Sequence, residues 1–142
     1  MKHEDVTDKI IAAFYTVYNT LGYGFLEKVY ENAMAIELHK LGLHVACQHP
    51  IHVYYAGQVV GEYFADLLVG DCVIVELKAA RNLLEEHEAQ VLNYLNATRY
   101  EVGLLFNFGP KPQMKRKVLD NDLKRYSSRI NTDEHGLGTN NP

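Results

Sequence analysis

Apolar residues recur at three- and four-residue steps through Val6, Ile10, Phe14, Val17, Tyr18 and Leu21, a period that predicts a helix over about 5–21. The Gly22-Tyr23-Gly24 stretch breaks it. A second helix is predicted over about 25–41, with Gly42 as its stop. The period then shortens. Runs at 43–48, 51–56 and 59–69 read as strands, with turn signals at Gly57-Gln58 and Gly70-Asp71. Residues 72–78 are mostly β-branched and apolar and read as a central strand. A third helix over about 83–98 and a strand over 101–108 follow, closed by Gly109-Pro110, and 113–126 reads as a strand or short helix. The order α-α-β-β-β-β-α-β predicts an α/β (α+β) fold with a mixed central sheet flanked by helices. Residues 1–126 read as one domain, and the polar stretch 127–142 as a disordered tail.

Composition narrows the class. The chain has 142 residues, of which 47% are hydrophobic and 23% charged, as in soluble globular proteins able to bury a core without staples. No apolar run approaches the ~20 residues of a membrane span, and the N-terminus lacks an apolar signal core, so a cytoplasmic protein without membrane contact is expected. Cys47 and Cys72 sit in strand-like runs without ligand spacing and read as small buried hydrophobes, not a disulfide. The net charge of −4 is not that of a general nucleic-acid binder. Its distribution is uneven: residues 1–110 hold 7 Lys+Arg against 14 Asp+Glu, whereas 111–142 hold 7 against 4. That basic segment reads equally as a phosphate contact or as a solvated tail.

Chemistry is suggested by charges where solvated residues do not belong. Asp66 interrupts an apolar run, and Glu76 and Lys78 interrupt the most apolar strand. Buried charges are costly unless paired or bound to metal. Strand alternation puts Glu76 and Lys78 on one face, about 7 Å apart. A plain ion pair is one reading. The other is the D…E-x-K arrangement, with nine residues between Asp66 and Glu76, in which two carboxylates and the Leu77 carbonyl ligate Mg²⁺ and Lys78 activates water and stabilises charge. A two-residue turn at Gly70-Asp71 would set Asp66 opposite Val75 and turn the carboxylates to opposite faces. The arrangement therefore requires a three-residue loop, a bulge or a bend. On the second helix, Glu27, Tyr30, Met34 and Leu38 form one stripe, so Glu27 is expected to face protein as an outer member of the acidic site. On the third, His87, Gln90 and Tyr94 share a face beside the apolar stripe of Leu84, Val91 and Leu95. His87 lacks a second histidine at zinc-ligand spacing.

Gly24-Phe25-Leu26-Glu27-Lys28-Val29-Tyr30 is G-x-x-E-x-x-Y, and with Asp66-Leu67-Leu68-Val69, Val75-Glu76-Leu77-Lys78-Ala79, His87-Glu88-Ala89-Gln90, Tyr94-Leu95 and Asn107-Phe108-Gly109 it resembles the GxxExxY proteins, grouped within the PD-(D/E)XK nuclease superfamily. Gln90-x-x-x-Tyr94 is similar to the Q-x-x-x-Y helix of superfamily exonucleases. The resemblance covers about residues 5–110. It implies a restriction-endonuclease-like core and an Mg²⁺ site, with Mn²⁺ as substitute. On it, Asp66, Glu76, Lys78, Gln90 and Glu27 are the expected catalytic residues. Asp66, Glu76, Leu77 and Glu27 are the expected metal site, and Tyr94, Tyr30 and His87 the expected substrate contacts. The expected partner is nucleic acid, DNA before RNA, with a homodimer or protein partner supplying specificity. The alternative is an inactive nucleic-acid- or protein-binding module with the same fold. A nucleotide-triphosphate motor is not supported, because no GxxxxGK[ST] loop is present.

Overall fold

Where the apolar period is 3.6 the chain is helical, and where it shortens the chain is extended. The computed structural model describes residues 1–125, so the tail expected over 127–142 lies outside the described residues. Helices α1 (Glu4–Leu21) and α2 (Glu27–Lys40) come first, followed by β1 (Val45–Tyr55), β2 (Gln58–Val69) and β3 (Val73–Lys78). Then come α3 (Glu85–Asn96), β4 (Val102–Phe108) and β5 (Pro112–Val118). The strands form one sheet in the order β1-β2-β3-β4-β5. All neighbours are antiparallel except β3 and β4, which run parallel because α3 carries the chain back across the sheet. The fold is a mixed α/β sheet flanked by helices.

Alternation divides the sheet's side chains between two cores. Leu67, Val75, Leu77, Phe106 and Phe108 meet Ile10 and Phe14 of α1 and Tyr30, Met34 and Leu38 of α2. On the other side Leu68 and Ile74 meet Tyr94 and Leu95 of α3. The third helix lies close to the sheet because Gly103 has no side chain: a Cβ there would stand 2.6 Å from Val91 Cγ1. Among the described residues, no helix is long and apolar enough to cross a membrane.

Three local expectations are corrected. The runs 43–48 and 51–56 are one strand, β1, which is an edge strand and so tolerates Pro50 without a lost ladder bond. The β1–β2 turn is centred on Ala56 and Gly57, both at positive φ (52° and 77°), one residue before the expected pair. Cys47 is exposed, because β1 has a neighbour on one side only; Cys72 is half-buried, and both thiols are free.

Candidate active site

The loop between β2 and β3 decides the geometry. The pairs Val69↔Val73, Leu68↔Ile74 and Leu67↔Val75 leave three residues, Gly70-Asp71-Cys72, in the loop. Continuing that register sets Asp66 opposite Glu76, so the carboxylates are neighbours across two strands. The strand pairing stops there, and the two side chains replace it. The Asp66 N–H donates to Glu76 Oε2 at 2.7 Å, and the Leu77 N–H donates to Asp66 Oδ2 at 2.7 Å. Each acid thus spends one oxygen on main chain and keeps the other. The N–H and C=O of a strand residue leave the chain on one side, so the Leu77 carbonyl lies on the edge of β3 that faces Asp66.

Burial makes this arrangement electrically costly. Glu76 is 3% exposed. Desolvation, and then the Asp66 charge, push its carboxyl up to about 8, against the opposing pull of the Asp66 N–H and the Lys78 ammonium. Desolvation also raises Asp66, opposed by the Leu77 N–H and assisted by the charges of Glu31 and Glu27. Lys78 stands two residues beyond Glu76 and is half-buried.

The second helix contributes an acid that sequence reasoning missed. Glu31 is buried, accepts from Gln48 Nε2 through Oε1 at 2.8 Å, and pairs through Oε2 with Lys28 Nζ at 3.0 Å. The same Gln48 amide reaches Asp66 Oδ1 at 3.5 Å. Glu27, expected on the buried stripe, is exposed at the first position of the helix, one turn before Glu31, although its charge still acts on Asp66 and Glu76. Glu31 shares the 31, 34, 38 spacing with Met34 and Leu38, a signal visible in the sequence that could have found it. Gln48 gives no such signal, since its role depends on a left-handed backbone (φ 53°) opposite Asp66.

The third helix closes the site from the other face. Gln90 Nε2 donates to the Tyr94 hydroxyl at 3.1 Å, while Gln90 Oε1 is buried without a partner among the described residues. Tyr94 feels both acids: desolvation, then Glu76 and Asp66, push its phenol up to about 12. His87, expected at the substrate, accepts the Leu84 N–H on Nδ1 at 3.0 Å and so caps the start of α3. Tyr30, also expected there, is fully buried. Its hydroxyl donates to the Gly22 carbonyl at 2.7 Å and accepts the Phe25 N–H at 3.2 Å, and its ring stacks on Phe108. It holds the α1–α2 loop and cannot touch a substrate. Asn107, in the register row of Lys78, holds the exit of β3: it accepts the Ala80 N–H at 2.8 Å and donates to the Ala80 carbonyl at 2.9 Å.

The donor set suits a hard divalent cation. Two adjacent carboxyls are both forced toward neutrality by burial, and each retains an oxygen with no main-chain donor. Such a pair is relieved by a cation with oxygen preference. Among the described residues no three His, Cys, Asp or Glu side chains are grouped to hold an ion by themselves. Mg²⁺, which ordinarily keeps several waters beside one or two carboxylates, needs no such group.

Residues 4–118 match the family model of the PD-(D/E)XK nuclease superfamily. No curated protein and no solved structure matches the chain.

Proposed function

Since this chain belongs to the PD-(D/E)XK nuclease superfamily, we propose that it is a Mg²⁺-dependent nuclease that hydrolyses phosphodiester bonds of DNA, with Mn²⁺ as a substitute. The observation that carries this reading is the pair Asp66 and Glu76, face to face across β2 and β3, with Lys78 two residues on. Asp66 and Glu76 would hold the metal through their remaining oxygens, with the Leu77 carbonyl beside them and Glu27 as an outer acid acting through water. The metal, when bound, lowers the pKa of an attacking water and draws charge from the phosphate. Lys78 orients that water and stabilises the negative charge that develops as the new P–O bond forms and the old one breaks. Gln90 Oε1, a buried acceptor without a partner among the described residues, is suited to receive an N–H of the Lys78 ammonium and aim it. Tyr94, whose phenol stays protonated at any ordinary pH, is a hydrogen-bond donor toward substrate. Glu31 and Gln48 act as positioning residues for Asp66. Gly24, Glu27 and Tyr30 support assignment to the narrower GxxExxY group.

One observation favours a non-hydrolytic binding module with the same fold: the net charge of −4 is not that of a general nucleic-acid binder. The two readings separate in one experiment. Purified protein is incubated with single-stranded DNA, duplex DNA and RNA in Mg²⁺ or Mn²⁺, beside Lys78→Ala. A nuclease cleaves, and Lys78→Ala loses on the order of 10²–10³-fold in rate while its melting temperature and metal binding persist. If the wild type cleaves nothing with either metal, the module reading stands. Should Lys78→Ala unfold, Lys78 is the structural counter-charge of the two acids.

A further inference from the structure

Between α3 and the long β1–β2 hairpin lies a cavity of about 400 Å³. It falls in the size range of small-molecule sites. Its walls are Val53 and Tyr63 from the hairpin and Glu86, Gln90, Asn93 and Tyr94 from the helix. Tyr94 is shared: it lines this cavity and packs in one cluster with Leu68 and Ile74, which stand two residues from Asp66 on β2 and from Glu76 on β3. The cavity is therefore tied to the acid-bearing strands through one side chain. The lining combines aromatic rings with amide and carboxylate groups. Tyr63 lies 5.9 Å from Tyr94, ring centre to ring centre, and is 51% exposed, so a ring face remains open. Among the described residues, the Asn93 and Glu86 side chains are not engaged in hydrogen bonds. An amide both donates and accepts, and a carboxylate accepts only.

A flat, aromatic guest with N–H donors on its edge satisfies all of these groups at once. We propose that the cavity takes one unpaired nucleobase of the strand being cut, stacked on Tyr63 and read at its edge by Asn93 and Glu86. This rests on the nuclease reading above and gives it a substrate class: single-stranded or locally unpaired nucleic acid. In a continuous duplex the base faces are covered by stacking and the Watson–Crick edges by pairing, so occupying the cavity costs unstacking and unpairing. A base already unpaired avoids that cost, and stacking on an aromatic side chain is tolerant of sequence. The Glu86 carboxylate adds a bias. It favours bases that carry amino groups (adenine, guanine, cytosine) over thymine, which offers it a single imino N–H flanked by carbonyls.

The test uses oligonucleotides containing 2-aminopurine, whose fluorescence is quenched by stacking, with EDTA present so that nothing is cut. The full chain is expected to quench single strands, and Tyr63→Ala and Asn93→Leu to weaken that binding by about tenfold or more. Tyr63→Trp should keep or deepen the quench. Both positions are on the surface, and melting curves check that each variant is folded. In parallel, Mg²⁺-dependent cleavage of single-stranded or mismatched DNA should exceed cleavage of perfect duplex, and oligo-dT should bind most weakly. Wild-type-like binding by both variants, absence of quenching, or equal cleavage of perfect duplex would overturn the base pocket while leaving the nuclease reading intact. Quenching that depends on Tyr63 and Asn93 without cleavage under any metal would sustain the pocket and remove the hydrolytic function.

Discussion

A carboxyl buried as deeply as Glu76 stays neutral where its solvated counterpart ionises, and this makes stability depend on pH. Its folded pKa, about 8, lies above the ordinary glutamate value of 4.5. Below the lower value both folded and unfolded chains are protonated, and the site costs nothing. As pH rises from there toward 8, the unfolded chain releases the proton and the folded chain does not, so stability falls across that window and levels off above it. Asp66 shifts the same way and adds to the slope. Without divalent metal, the melting temperature is therefore expected to decline between about pH 5 and pH 8. Glu76→Gln should flatten that decline and melt higher than the wild type at pH 8. The amide keeps an oxygen for the Asp66 N–H and carries no charge. Melting curves in EDTA across that range check this, and a wild-type profile that rises toward pH 8 would contradict the buried pair.

Among the elements, the exit of β3 is the part on which the site depends most. Beyond Lys78 the chain turns through residues 79–84 to reach α3, and side chains from the other strands hold it. Asn107 of β4, fully buried, clasps the Ala80 backbone from both sides. Gln113 of β5 accepts from Asn107 at 3.0 Å and from the Leu83 N–H at 3.1 Å. Gly109 adds to the closeness, since a Cβ there would run into the Ala80 carbonyl. Asn107→Leu keeps the branched shape but leaves both the Ala80 N–H and the Ala80 carbonyl without their side-chain partner, at a cost of roughly 1–3 kcal/mol for each group left unsatisfied. Urea unfolding should show that loss in the midpoint with an unchanged slope. Cleavage measured well below the melt should fall as well, since Lys78 loses the fixed turn behind it. Full activity at unchanged stability would mean that the clasp supports neither.

For the molecule as a whole, binding of metal to the folded state alone makes stability a function of metal concentration. Net charge is −4, and its costliest part is the acidic pair between β2 and β3. Mg²⁺ is expected to raise the melting temperature continuously, by the equivalent of about 2.7 kcal/mol at one hundred times its Kd. The rise should be larger at pH 8 than at pH 5, where protons compete for the same oxygens. Asp66→Ala should abolish it. An identical Mg²⁺ response in that variant would place the metal elsewhere. Three of the basic residues of the segment after Pro110 are less available than their sequence suggests. Lys117 pairs with Glu88, the Arg116 guanidinium donates to the Lys2 carbonyl, and Lys124 is buried against the carbonyls of Thr98 and Tyr100.

Local periodicity set the elements, because whether apolar residues repeat every 3.6 or every two positions decides which backbone can bury them. The run of apolar residues around Glu76 and Lys78 likewise marked those charges as misplaced before any contact was known, since the loss of water that burial imposes on a charge precedes any partner that offsets it. Neighbouring relations across strands are a different matter. Whether Asp66 meets Glu76 or faces away turns on one residue of loop length at Gly70-Asp71-Cys72, and Asp71 adopts a left-handed backbone (φ 56°) that no period reveals. The same limit explains Glu27 and Glu31. Both fit a three- and four-residue stripe, and only the packing of α2 on the sheet buries the second and leaves the first exposed. Tyr30 and His87 were recognisable as part of a motif, but their hydroxyl and ring nitrogen satisfy backbone groups of the α1–α2 loop and the start of α3. Those groups need partners only once the chain has folded around them.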